Sequence, residues 1–133
     1  MSANWSIVER TKRFALRIIR LYSSLPKSTE AQVIGKQMLR SGTSVGAHIR
    51  EGKRSRSDAE MISKIEVAQQ ELEETLYWLE LLIGSNLVKR ERLDDLMEEA
   101  NELIAILVTS SKTIKHRKKA TTKSESEAVN NSV

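Results

Sequence analysis

The residues that could do chemistry are few. The chain has two histidines, His48 and His116, and no cysteine. Cysteine chemistry is thereby excluded: no disulfide, no thiolate metal ligand, no thiol nucleophile. His48 stands three residues before Glu51, a helical spacing at which an imidazole and a carboxylate share a face. A metal or acid–base site needs a further ligand at matched spacing, and no His-Glu-x-x-His or His-x-x-x-His pattern is present. Carboxylates are plentiful in the second half: Glu66, Glu71, Glu73, Glu74, Asp94, Asp95, Glu98, Glu99 and Glu102. A dinuclear metal bundle would need Glu-x-x-His on two helices, and the chain has none. The segment Ser41-Gly42-Thr43-Ser44-Val45-Gly46 is rich in small residues but lacks the Gly-Lys-Ser/Thr ending of a phosphate loop. The expectation is a chain with no catalytic residue, no metal and no cofactor.

Cations are the better candidates. Arg10, Arg13, Arg17 and Arg20 step by three, four and three and line one helix face. A second cluster is Arg50, Lys53, Arg54 and Arg56, and a third is Lys112, Lys115, Arg117, Lys118 and Lys119. Such stripes attract phosphates by counterion release without reading sequence. Their other use is pairing with acids, and the charge distribution keeps both open. Residues 1–56 carry 12 Lys/Arg and 3 Asp/Glu, residues 57–108 carry 4 and 13, and residues 109–133 carry 6 and 2. The net charges are thus +9, −9 and +4, which sum to the +4 of the whole chain. Basic and acidic helices must meet within one bundle or across subunits. Asp94-Asp95 and Glu98-Glu99 fall one turn apart and repel, so cations are expected over that stripe. With one Phe, two Tyr and two Trp in 133 residues, aromatics do not interleave the basic clusters, and base stacking is not expected.

One proline and five glycines in this length call for long helices, and four are predicted, at about 4–24, 29–53, 58–84 and 89–116. The first carries a seam of Ile7, Thr11, Phe14, Ile18, Leu21 and Leu25 and stops before Pro26. The second opens at a Ser28 or Thr29 cap. Its stripe of Ala31, Ile34, Met38, Val45 and Ile49 is thin and interrupted by Gly35, Gly42 and Gly46, which points to close backbone approach. Gly52 is expected to be its C-terminal stop. The third opens on a capping box, Ser57 to Glu60, and runs Met61, Ile65, Ala68, Leu72, Thr75, Leu79 and Leu82 to Gly84. Its far end adds Tyr77, Trp78 and Leu81, more apolar surface than one seam hides, so these three are expected at a subunit interface. The fourth turns Leu93, Leu96, Ala100, Leu103, Leu107 and Ile114 inward. Short connections make neighbours antiparallel: an all-α, up-down four-helix bundle over residues 1–117. A polar tail, 118–133, is expected to be disordered. No apolar run is long enough to cross a membrane, and no signal peptide is evident, so a cytoplasmic protein is expected.

One stretch carries a resemblance. It starts at Leu25-Pro26-Lys27 and runs through Leu39-Arg40-Ser41-Gly42-Thr43-Ser44-Val45-Gly46-Ala47-His48-Ile49-Arg50-Glu51-Gly52. The Arg54, Arg56, Ser57 and Glu60 region follows, then Lys64-Ile65-Glu66-Val67-Ala68, and later Glu71, Glu74, Thr75 and Leu82. This resembles the four-helix-bundle proteins of the ribosomal-RNA intervening-sequence family, whose pattern is hydrophobic-Arg-x-x-x-Ser-Ile/Val-x-x-Asn-Ile-x-Glu-Gly. The similarity covers about positions 5 to 108. His48 stands where Asn is usual, Arg50 where a small residue is usual, and Met61 and Ile65 where aromatics are common. The resemblance implies a ring-like homopentamer, encoded within insertions in 23S rRNA genes. It also implies kinship with the accessory subunit of diversity-generating retroelements, which contacts a reverse transcriptase and nucleic acid. The expected function is a non-enzymatic, homo-oligomeric adaptor holding RNA or DNA through basic surfaces, possible partners being itself and a reverse transcriptase. The alternative is a protein-binding scaffold without nucleic-acid contact.

Overall fold

The computed structural model describes the backbone of residues 6–131 and the side chains of residues 6–117 and 119. Four helices follow one another: α1 (Ile7–Ser23), α2 (Thr29–Lys53), α3 (Asp58–Gly84) and α4 (Arg90–Asn131). There is no strand among the described residues. Each helix packs on its neighbours in the chain and α1 closes on α4, which is the adjacency of an up-down bundle. The α1–α4 seam is the sparest of the four.

The first three helix starts are set by hydroxyls. Ser6, Ser28 and Ser57 are extended, and each accepts a hydrogen bond from a backbone N–H three residues on: Glu9, Ala31 and Glu60. The Ser6 cap moves the first start from 4 to Ile7. The capping box is half made, because Glu60 Oε2 accepts from the Arg56 N–H at 3.5 Å and not from Ser57. The second and third helices stop where expected, at Lys53 and Gly84, but the capping differs. Gly52 lies inside α2, where a Cβ would sit 3.3 Å from Lys64 Cβ; its lack of a side chain serves packing, and Arg54 caps the helix. Past α3 the left-handed residue is Asn86, with φ of 62°, and not Gly84. Helix α4 continues to Asn131, well beyond 116. After Gly84 the chain contains neither glycine nor proline to stop it.

The predicted seams meet in a single core of which Phe14, Ile18, Met38, Val45, Leu72, Leu79, Leu82, Leu93, Leu103 and Leu107 are fully enclosed. Ile7, Ile34 and Met61 are half-buried at its margin. Burying one such side chain stabilises by about 1.5–3 kcal/mol, whereas an exposed ion pair contributes about 0–1 kcal/mol, so the seams decide the fold. Three of the four α2 glycines let α1 and the residue after its cap close in. A Cβ on Gly42 would lie 2.8 Å from Ile18 Cγ1, one on Gly35 2.6 Å from Leu25 Cδ1, and one on Gly46 3.2 Å from Thr11 Oγ1. Between α2 and α3, the buried hydroxyls of Ser41 and Thr75 bond each other at 2.7 Å. No helix among the described residues is long and apolar enough to cross a membrane.

Candidate nucleic-acid interface

The helix-one stripe divides. Arg10 is buried and donates to Glu99 twice, Nε to Oε2 at 3.2 Å and Nη2 to Oε1 at 2.6 Å, with Glu102 at 3.8 Å. The Glu99 bond outweighs burial and raises its guanidinium pKa above the ordinary value. Arg10 is thus an internal tie between α1 and α4, withdrawn from the surface. It is also the cation expected over the acidic stripe of α4, though it reaches only Glu99 and Glu102. Arg13 pairs with Glu9 at 3.3 Å, four residues back on its own helix. Arg17 and Arg20 lie further along. They line a cleft of about 300 Å³ with Leu21, Ser24, Arg92, Leu93 and Leu96. Arg92 is a site residue that sequence reasoning missed. It donates to Ser24 Oγ at 3.0 Å from 68 positions away, and nothing in local spacing signals such a contact.

The second cluster stays together. Arg50, Lys53, Arg54 and Arg56 are all exposed around the turn between α2 and α3. The acids of this neighbourhood are engaged elsewhere. Glu51 accepts from Lys64 at 2.8 Å, which holds its carboxyl below the usual range and the Lys64 ammonium above its own. Asp58 accepts from Arg117 at 3.2 Å, and Glu60 faces the Arg56 backbone. Among the described residues none of the four cations makes an ion pair.

The third cluster is partly committed to α3. Lys115 bonds Glu66 at 2.7 Å and lowers that carboxyl's pKa, and Arg117 takes Asp58. The local sequence shows few acids near this run; the fold brings them from α3. Lys112 and Lys119 remain exposed, and the side chain of Lys118 lies outside the described residues. These cations share one end of the bundle with the second cluster. A cavity of about 380 Å³ there is lined by Ile7 at the start of α1, Lys53 at the end of α2, Met61 at the start of α3, and Thr113 and Arg117 of α4. The α2–α3 turn, the start of α1 and residues 107–117 of α4 therefore form one basic pole.

The remaining candidates resolve differently. His48 is half-buried, its Nδ1 3.6 Å from Glu51 Oε2, beyond hydrogen-bond reach. His116 is exposed. No three His, Asp or Glu side chains converge as a metal site would need, among the described residues. The small-residue segment Ser41 to Gly46 lies within α2, packed on α1 and α3, and is no loop. Tyr77 is 52% exposed with its ring 5.1 Å from that of Trp78, while Trp78 and Leu81 are half-buried. The Trp78 indole N–H is closed off by its own chain with no acceptor among the described residues.

Comparison with known proteins fits this architecture. The sequence profile described as 23S rRNA-intervening sequence protein matches residues 3–109. A crystal structure of a protein of unknown function from the S23 ribosomal protein family of Bacteroides thetaiotaomicron is similar at 38% identity, with a TM-score of 0.76. The match covers 80% of this chain and 99% of that one. No curated protein matches the chain. The chain belongs to the 23S rRNA-intervening sequence protein family.

Proposed function

We propose that this chain is a non-enzymatic, homo-oligomeric adaptor that binds RNA or DNA non-specifically through its basic pole. Family resemblance supplies the finer terms: a pentamer, acting in the cytoplasm as accessory to a reverse transcriptase or an rRNA-insertion element. The observation that supports the reading is the arrangement around the α2–α3 turn. Arg50, Lys53, Arg54 and Arg56 are exposed together, while the nearest carboxylates are engaged by Lys64, Arg117 and backbone. Four like charges held close repel unless an anion joins them, and a polyphosphate chain supplies charge at matching density. No aromatic side chain lines the pole among the described residues, so contacts are expected to fall on phosphate and not on bases.

Fluorescence anisotropy with unrelated RNA and DNA sequences is the test. Affinities within a few-fold of one another that fall steeply between 50 and 200 mM salt are expected. A sequence preference of a hundredfold, or no binding at low salt, contradicts the proposal. Light scattering on the same samples reads the stoichiometry, expected at five times the 15.1 kDa chain mass.

A further inference from the structure

We propose that the cleft between the end of α1 and the first turn of α4 is a binding site for a phosphate monoester. It lies away from the basic pole and depends on the nucleic-acid reading only for the source of the phosphate.

Three arginines line it from two helices. Arg17 and Arg20 are one turn apart on α1, and Ser24, the C-cap, is one turn beyond Arg20. Arg92, from the first turn of α4, is anchored by its 3.0 Å bond to Ser24 Oγ. That bond brings the Arg92 guanidinium to the turn of α1 that follows Arg20. Among the described residues no carboxylate lines the cleft. Glu91 and Asp95 flank Arg92 in sequence but are exposed, do not line the cleft and form no ion pair with these arginines among the described residues. Arg10, further back along α1, shows what this seam does when an acid is present: it binds Glu99 by two parallel bonds. Opposite Arg17 and Arg20, α4 offers Leu93 and Leu96 and a third cation.

The charge count selects the ligand. A phosphate monoester carries about −1.5 to −2 near pH 7, against −1 for a diester, and offers three terminal oxygens to planar forks. The space, about 300 Å³, admits a phosphate with a sugar attached, and its floor of Leu21, Leu93 and Leu96 supplies apolar surface beside the charge. Both a strand end and a free phosphate monoester present this chemistry.

The full-length protein is titrated with 5′-phosphorylated and 5′-hydroxyl versions of one RNA oligonucleotide, and separately with inorganic phosphate followed by phosphorus NMR. The phosphorylated end is expected to bind at least about tenfold tighter. That preference, and the phosphate signal change, are lost in R17Q/R20Q and reduced in Arg92→Lys, which keeps the charge but not the fork. These three side chains are outside the core, so helical content stays unchanged. Equal binding of both ends, with inorganic phosphate still captured by the wild type alone, supports the cleft and identifies free phosphate as the source. RNA failing to bind while phosphate binds removes the proposed function and leaves the cleft standing. No phosphate response and no end preference overturns the cleft even where RNA binds at the basic pole. An undiminished preference in Arg92→Lys overturns the three-arginine assignment.

Discussion

Each basic residue is defined by what answers its charge. Arg10 and Arg17 lie on the same stripe of α1, seven residues apart, yet one is sealed against Glu99 and the other lines an acid-free cleft. The Arg10–Glu99 side chains are only 10% and 14% exposed, so removing one partner strands the other in low dielectric. Arg10→Met should lower stability by about 3 kcal/mol, and Arg10→Met with Glu99→Leu should recover much of that loss. Urea denaturation of the two single variants and the double variant checks this through the coupling energy. Strict additivity would show that the pair is not coupled. Among the described residues the cations at the α2–α3 turn have no such partner, so single neutral substitutions there should change stability by less than about 0.5 kcal/mol.

Among the elements, α2 departs furthest from an ordinary amphipathic helix, and its glycines explain why. Glycine costs about 1 kcal/mol against alanine inside a helix, so Gly35, Gly42 and Gly46 should improve on replacement if helix propensity ruled. At Gly42 it does not rule, because the added Cβ would meet Ile18 Cγ1 at 2.8 Å and Cγ2 at 3.0 Å, on a stiff β-branched side chain. Gly42→Ala should therefore destabilise by about 1–3 kcal/mol. Gly84→Ala, with nothing within 4 Å, should be neutral or stabilise by up to about 1 kcal/mol. Thermal melts of both variants decide, and the reverse order would contradict the close α1–α2 approach.

This is also the scale at which the sequence is most legible. Seams such as Ile65, Ala68, Leu72, Thr75, Leu79 and Leu82 repeat at helical spacing, and every one of these six is buried. Caps and close-approach glycines can be read because they act within a turn or against one neighbour. The partners of the cations cannot. Arg10 finds Glu99 from 89 positions away and Arg92 finds Ser24 from 68. Which acid neutralises which base depends on the register between α1 and α4, and spacing within one helix does not encode that. The end of α2 escapes a local reading for a related reason: Gly52 answers to Lys64 across the bundle rather than to its own helix end.

At the scale of the whole molecule, the charge split of the sequence becomes a polarity in space. Acidic residues of α3 and α4 are met in part by Arg10, Arg40, Lys115 and Arg117, with Arg40 bridging Glu71 and Glu74. Among the described residues, the four cations of the α2–α3 turn and the three arginines of the α1–α4 cleft pair with none of these acids. Exposed Leu16, Ile19, Val33 and Tyr77 lie outside both. Assembly through apolar contacts and phosphate binding through cations can therefore use separate surfaces. A partner protein that remained bound after nuclease treatment would favour the scaffold alternative; one released by nuclease fits an adaptor that holds its partner through nucleic acid.

The measurement closest to the central claim is the salt dependence of RNA affinity for the wild type and for a variant with Arg50, Lys53, Arg54 and Arg56 all changed to Gln. If the pole holds phosphates, the variant binds every sequence more weakly, and to a similar degree. The slope of log affinity against log salt becomes shallower by about 0.7 for each single-strand phosphate that is no longer neutralised. An unchanged affinity and slope, in a variant that still folds and assembles, would contradict the account.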